Sequence, residues 1–114
     1  RRMLQEELNE ACMRIIAFSG QARAEVMQAA AAARSGDFAG ATTLLAQADT
    51  SLASAQQAQL ALLAADANDT LGAPTLLVLH AQDHLNASLL AHELVTELVL
   101  LSRRVDTLEK AVGA

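Results

Sequence analysis

Aromatic residues are almost missing from this chain of 114 residues: it has two Phe and neither Trp nor Tyr. Strands draw on aromatic and β-branched side chains, so a mainly β architecture is excluded. No basic stripe with interleaved aromatics exists, and the only basic doublets are Arg1-Arg2 and Arg103-Arg104, so no nucleic-acid partner is expected. Cysteine occurs once, at Cys12, which rules out an intrachain disulfide and suits a reducing compartment. No segment has a signal peptide's charged start, apolar stretch and small-residue cleavage site. No uninterrupted run of about 18 apolar residues occurs, so no direct membrane insertion is expected. Glycine motifs of the Walker or kinase type are missing as well, which excludes the familiar routes to ATP. The expectation is a soluble, cytoplasmic protein. It opens at Arg1 rather than at methionine, and a native start upstream is expected.

What the chain does have is alanine and leucine, within a hydrophobic share of 53%, and a formal net charge of −5. That is the composition of long, closely packed helices. Its length fits one domain, 1–114. Two clusters punctuate it, "SGDF" at 35–38 and "DANDTLGAP" at 66–74. Gly36 suits a helix C-terminus and Asp37 the N-cap of the next helix; Thr75, after the sole proline Pro74, suits another N-cap. The spacing predicts an all-α chain, an antiparallel three-helix bundle with helices at about 3–34, 38–66 and 75–111.

Each helix has an apolar seam. In the first it runs through Leu4, Leu8, Ala11, Ile15, Phe18, Ala22 and Val26, and in the second through Ala41, Leu45, Ala48, Leu52, Ala55, Gln59 and Leu62. In the third, Leu77, His80, His84, Ala87, Ala91, Leu94, Leu98, Leu101, Val105, Leu108 and Val112 alternate steps of three and four, the a/d pattern of helices that coil around each other. Gly20, inside the first helix, predicts a close approach between helices there. The third helix also carries Leu76, Val78, Leu79, Leu89, Leu90, Val95 and Val99 off its seam. A slender bundle has one interior and cannot cover so many faces, so a homo-oligomer is expected.

Against this apolar background, His80, Asp83 and His84 stand within five positions. On a helix, His84 lies about 40° to one side of His80 and Asp83 about 60° to the other, so all three share a face. Three readings are open on the residues alone. They could form a hydrogen-bonded polar device that fixes packing register. They could ligate a metal, since His at i and i+4 is a zinc-ligand spacing, although the first two helices contain no His to add. Or one imidazole could be a nucleophile toward phosphorus, being neutral at cytosolic pH. A phosphohistidine needs position and donors for the phosphoryl oxygens and little else. His92, near Glu93 and Glu97, reads as solvated, and Cys12 as core packing.

The segment "LLVLHAQDHL" (76–85), with "GQAR" (20–23) and "SGDFAGA" (35–41), resembles the IIA component of the lactose/cellobiose/chitobiose class of bacterial sugar phosphotransferase systems, from about residue 12 to 101. The resemblance implies three-helix protomers assembled as a homotrimer. It implies that His80 accepts a phosphoryl group from phospho-HPr and passes it to a cysteine of the IIB component, which is linked to the membrane permease. It further implies that Asp83 and its two symmetry mates bind one divalent cation, with Mg²⁺ the natural occupant, on the trimer axis, and that Gln82, His84 and Gln59 support the site. The family commonly has a His and a Thr where this chain has Gln56 and Leu60, and Met-Thr where it has Asn86-Ala87. The rivals are a histidine phosphotransfer domain of two-component signalling, which usually places a Lys or Arg near its His, and a structural helical oligomer. No basic residue lies between Arg34 and Arg103, which counts against the first.

Overall fold

The computed structural model describes residues 3–113; the Arg1-Arg2 doublet and Ala114, part of the single domain expected over 1–114, lie outside the described residues. Three helices account for nearly all of it: α1 (Gln5–Arg34), α2 (Phe38–Ala67) and α3 (Leu76–Gly113). They lie side by side in a rod of 68 × 19 × 16 Å. No strand occurs among the described residues. α1 packs along both other helices, and α2 and α3 meet along a shorter line.

The breaks fall where the sequence punctuates. α1 ends with Gly36 at φ 84°. There the Asp37 N–H reaches back to Ala32 O at 2.9 Å and the Gly36 N–H to Ala33 O at 3.1 Å, closing the free carbonyls of the last turn. Asp37 then starts α2, its carboxylate accepting from the Gly40 N–H at 2.9 Å. A Cβ on Gly40 would run into that carboxylate, which explains the glycine. α2 ends in the same way, with Thr70 N–H to Ala65 O at 2.8 Å and Asp69 N–H to Asp66 O at 3.0 Å. Here the left-handed position belongs to Asp69, at φ 56°, rather than to glycine. Thr75 begins the third helix by accepting the Val78 N–H through Oγ1 at 3.2 Å.

Alanine supplies half of the buried apolar residues of the core. Ala22, Val26, Ala29, Ala48, Leu52, Val95 and Val99 fill one end, and Leu8, Cys12, Ile15, Ala55, Leu62, Val78, Ala81 and Leu85 the other. Cys12 is fully buried, as expected of a packing residue, and desolvation pushes its thiol above the ordinary value of 9.0. The expected seams of the first two helices hold, except that Leu4 is exposed and Phe18, Leu45 and Gln59 are half-buried.

The third seam is displaced by one residue. α3 turns Val78, Ala81, Leu85, Ser88, Val95 and Val99 toward its own chain. The predicted line lies largely outside: Leu94 and Leu101 are each 60% exposed and Leu108 63%. Both stripes are apolar, and the one that packs is the narrower one, whose small residues fit the alanine-rich face of α1. Ser88 Oγ donates to the Ser19 carbonyl at 2.8 Å inside that contact. The close approach predicted at Gly20 falls instead at Ser19, and open space lies above Gly20. The same rotation draws in His92. It is half-buried, with Nε2 at 2.7 Å from Asp49 Oδ1 of α2, rather than solvated.

α3 is also long and apolar enough, by length and composition, to cross a membrane. Counting uninterrupted runs missed this, because its polar residues gather around 80–84 and 92–97 and leave apolar stretches between. In the bundle one side of that apolar surface packs on α1 and the rest forms an exposed stripe.

A residue with a Cβ is disfavoured in the left-handed region, whereas glycine there is free of strain but costs unfolded-state entropy. Asp69→Gly should therefore stabilise the fold by about 0.5–1 kcal/mol in urea unfolding. An unchanged or lower midpoint would mean that the Asp69 side chain holds the turn.

Candidate functional site

His80 and Asp83 are exposed on the second turn of α3, and His84 is half-buried one turn later. They sit on the outside because Val78, Ala81 and Leu85 between them take the buried positions. The rings of His80 and His84 meet edge to face, centroids 4.6 Å apart and planes at 84°. Their Nε2 atoms lie 3.1 Å apart. A hydrogen bond at that contact requires complementary rings, one presenting Nε2–H and the other a bare Nε2 with its proton on Nδ1.

A shallow depression is lined by His80, Asp83, His84 and Ala87 of α3 and by Arg23 of α1. Arg23 is the residue that reading the sequence missed. It lies in the "GQAR" segment, yet nothing in its local spacing links it to a histidine half the chain away. The basic neighbour of the histidines is supplied by the adjacent helix.

Gln59 and Gln82 are brought together, but with each other rather than with His80. Gln59 Nε2 donates to Gln82 Oε1 at 2.5 Å, and Gln82 Nε2 to Gln59 Oε1 at 2.6 Å, a half-buried reciprocal pair between α2 and α3. Gln82 stands two positions after His80, about 200° around the helix, so the pair occupies the groove behind the histidines. Each amide keeps one further N–H for another acceptor. Among the described residues, no three His, Cys, Asp or Glu side chains gather as a metal site within one chain.

The model of the family described as "PTS system, Lactose/Cellobiose specific IIA subunit" matches residues 10–103. The chain belongs to this family. It is thus a IIA component of the sugar phosphotransferase system, which sets it apart from the phosphotransfer domains of two-component signalling. It is 41% identical over 100 residues to the N,N'-diacetylchitobiose-specific EIIA component of Escherichia coli, covering 88% of this chain and 86% of that one. It is 35% identical over 102 residues to the lactose-specific EIIA component of Staphylococcus aureus, covering 90% and 99%. Among solved structures, the cellobiose-specific enzyme IIA of Bacillus anthracis superposes with a TM-score of 0.85 at 27% identity, over 92% of this chain and 95% of that one. The IIA(chitobiose) of the Escherichia coli IIA(chitobiose)–HPr complex does so with a TM-score of 0.76 at 38% identity, over 87% and 96%.

The amide pair lends itself to a double-mutant cycle. Gln59→Leu and Gln82→Leu should each destabilise the IIA fold by leaving the partner amide unpaired, and together should cost less than the sum, with a coupling of about 1 kcal/mol in denaturant unfolding. Strict additivity would show that the two amides do not depend on one another.

Proposed function

We propose that this IIA component carries a phosphoryl group on His80, taking it from phospho-HPr and handing it to a cysteine of its IIB component, for sugar uptake. The observation that carries the reading is the position of His80: an exposed ring whose Nε2 is engaged only by a second imidazole, over a depression open to an approaching protein. HPr enters as donor because a related IIA chain has been solved in complex with it.

The chemistry follows from the tautomers. To attack phosphorus, His80 must hold its lone pair on Nε2, so its proton is on Nδ1 and His84 presents Nε2–H toward it. As the P–Nε2 bond forms, the bond from phosphorus to its donor breaks and its electron pair stays with the donor. The Nε2–H of His84 then loses its acceptor and turns to a phosphoryl oxygen. When the IIB thiolate attacks phosphorus, the electron pair of the P–N bond returns to Nε2 and the His80–His84 bond re-forms. His84 thus fixes the reactive tautomer before transfer and supplies a donor during carriage. The Gln59–Gln82 pair holds α3 at its rotation on α2 and in that way supports the phosphate site, by fixing where His80 and His84 stand.

The exposed apolar stripe of α3, from Leu76 through Leu94 and Leu101 to Val112, supports assembly as a homotrimer in the cytoplasm, with three α3 helices about the axis. Asp83 interrupts the upper part of that face as a lone exposed carboxylate. One chain offers a single oxygen ligand there, whereas three chains offer three hard donors, which fits Mg²⁺ completed by waters. Bound there, the cation would neutralise carboxylates that otherwise repel across an apolar axis.

Incubation with phosphorylated HPr should label the wild-type chain with acid-labile phosphate and leave His80→Gln unlabelled at equal helicity; label surviving in that variant refutes the assignment. Asp83→Leu should yield a trimer whose sedimentation no longer responds to chelator. A variant that dissociates more than chelated wild type would show instead that the carboxylates themselves hold the assembly.

A further inference from the structure

The depression at His80 has one cationic wall, and it comes from a different helix. Arg23 lines it together with His80, Asp83, His84 and Ala87. Its position is a matter of register. The buried bond from Ser88 Oγ to Ser19 O, 2.8 Å, sets α1 beside α3 at that level. Arg23 begins one turn beyond Ser19, and long side chains on a helix lean back toward its N-terminus. The guanidinium is thereby directed along Ala87 toward the histidines.

Three other basic groups are engaged, and the remaining described ones, Arg34 and Arg104, lie away from this depression. Arg14 lies over the Phe18 ring at 5.6 Å, Arg103 over Phe38 at 5.4 Å, and Lys110 pairs with Asp106 at 2.9 Å. Among the described residues Arg23 takes part in no ion pair and no ring contact. It is a charged fork with unused donors beside the exposed imidazole.

A phosphoryl group arriving on His80 brings roughly two negative charges to a chain of net charge −5, next to the carboxylate of Asp83. Without a cation at hand, both transfer and storage would be opposed by repulsion. A planar guanidinium matches two non-bridging phosphoryl oxygens with two parallel N–H donors. We infer that Arg23 is a further catalytic residue of this phosphocarrier, clamping the phosphoryl oxygens on Nε2 of His80 as the group arrives and while it is carried. The inference rests on His80 being the acceptor. No proton passes through Arg23: the P–Nε2 bond forms from the imidazole lone pair, the donor keeps the electrons of the broken bond, and the guanidinium stays fully protonated throughout.

Arg23 is exposed, so its substitution leaves the core intact. Arg23→Gln and Arg23→Lys would be mixed with phospho-HPr beside wild type and His80→Gln, and the equilibrium share of phosphoryl on each chain, the transfer rate at saturating HPr and the ³¹P chemical shift of the phosphohistidine recorded. Arg23→Gln should move the equilibrium toward HPr and slow transfer, each by about tenfold, the worth of one charge-assisted clamp. It should also displace the ³¹P resonance, and Arg23→Lys should recover part of all three. An unchanged equilibrium and resonance in Arg23→Gln overturns the clamp while His80 stands as acceptor. Slower transfer only at sub-saturating HPr would make Arg23 a docking contact and equally overturn it. Label on His80→Gln would bring down acceptor and clamp together.

Discussion

The rotation of α3 about its own axis is the constraint on which the rest depends. α3 offers two apolar stripes one residue apart, and only one can face α1 and α2. Val78, Ala81, Leu85 and Ser88 take that place, with the Ser88 hydroxyl bonded to the Ser19 carbonyl. A turn of about 100°, one residue, would bury His80 among alanines and put Ala81 outside. The buried serine pair therefore does more than satisfy two polar groups. It sets which atoms of α3 meet solvent, brings α1 alongside at the level of Arg23, and leaves the leucine stripe exposed.

The chemistry of the site follows from charge and tautomer. Two imidazoles in Nε2–Nε2 contact cannot both be donors when neutral, so each fixes the state of the other. Asp83 on one side and Arg23 on the other give the depression a carboxylate and a guanidinium at close quarters. The reciprocal amides of Gln59 and Gln82 anchor α3 from behind through two mutual hydrogen bonds. Membership of the IIA family gives this arrangement its setting in sugar uptake.

Much of this was legible in the residues. The helix ends could be read from Gly36, Asp37, Pro74 and Thr75, because turn and cap chemistry is local. The seams of α1 and α2 could be read because their regularly spaced apolar positions are the ones that face the core. α3 was misread by one position because periodicity reports that a stripe exists and not which of two neighbours faces inward; the answer lay in the small residues of α1. The same slip made His92 look solvated, although it continues the buried line of Leu85 and Ser88 to Asp49. Gly20 suggested a contact that Ser19 makes. The histidines and Asp83 announced themselves through their density, whereas Arg23 and the mutual bond of the two glutamines depend on which helices lie side by side, which no local pattern encodes.

Cys12 lies on the inner face of α1, sealed between Leu8 and Ile15, its thiol kept protonated by burial. The proposed relay, ending on a partner's sulfur, would be vulnerable to any sulfur of its own, since a thiolate within reach could intercept the phosphoryl group as a dead-end thiophosphate ester. Enclosure removes that competitor. In the relay proposed for His80, the phosphoryl group on nitrogen would then meet no internal sulfur and would leave only for an atom that another protein brings.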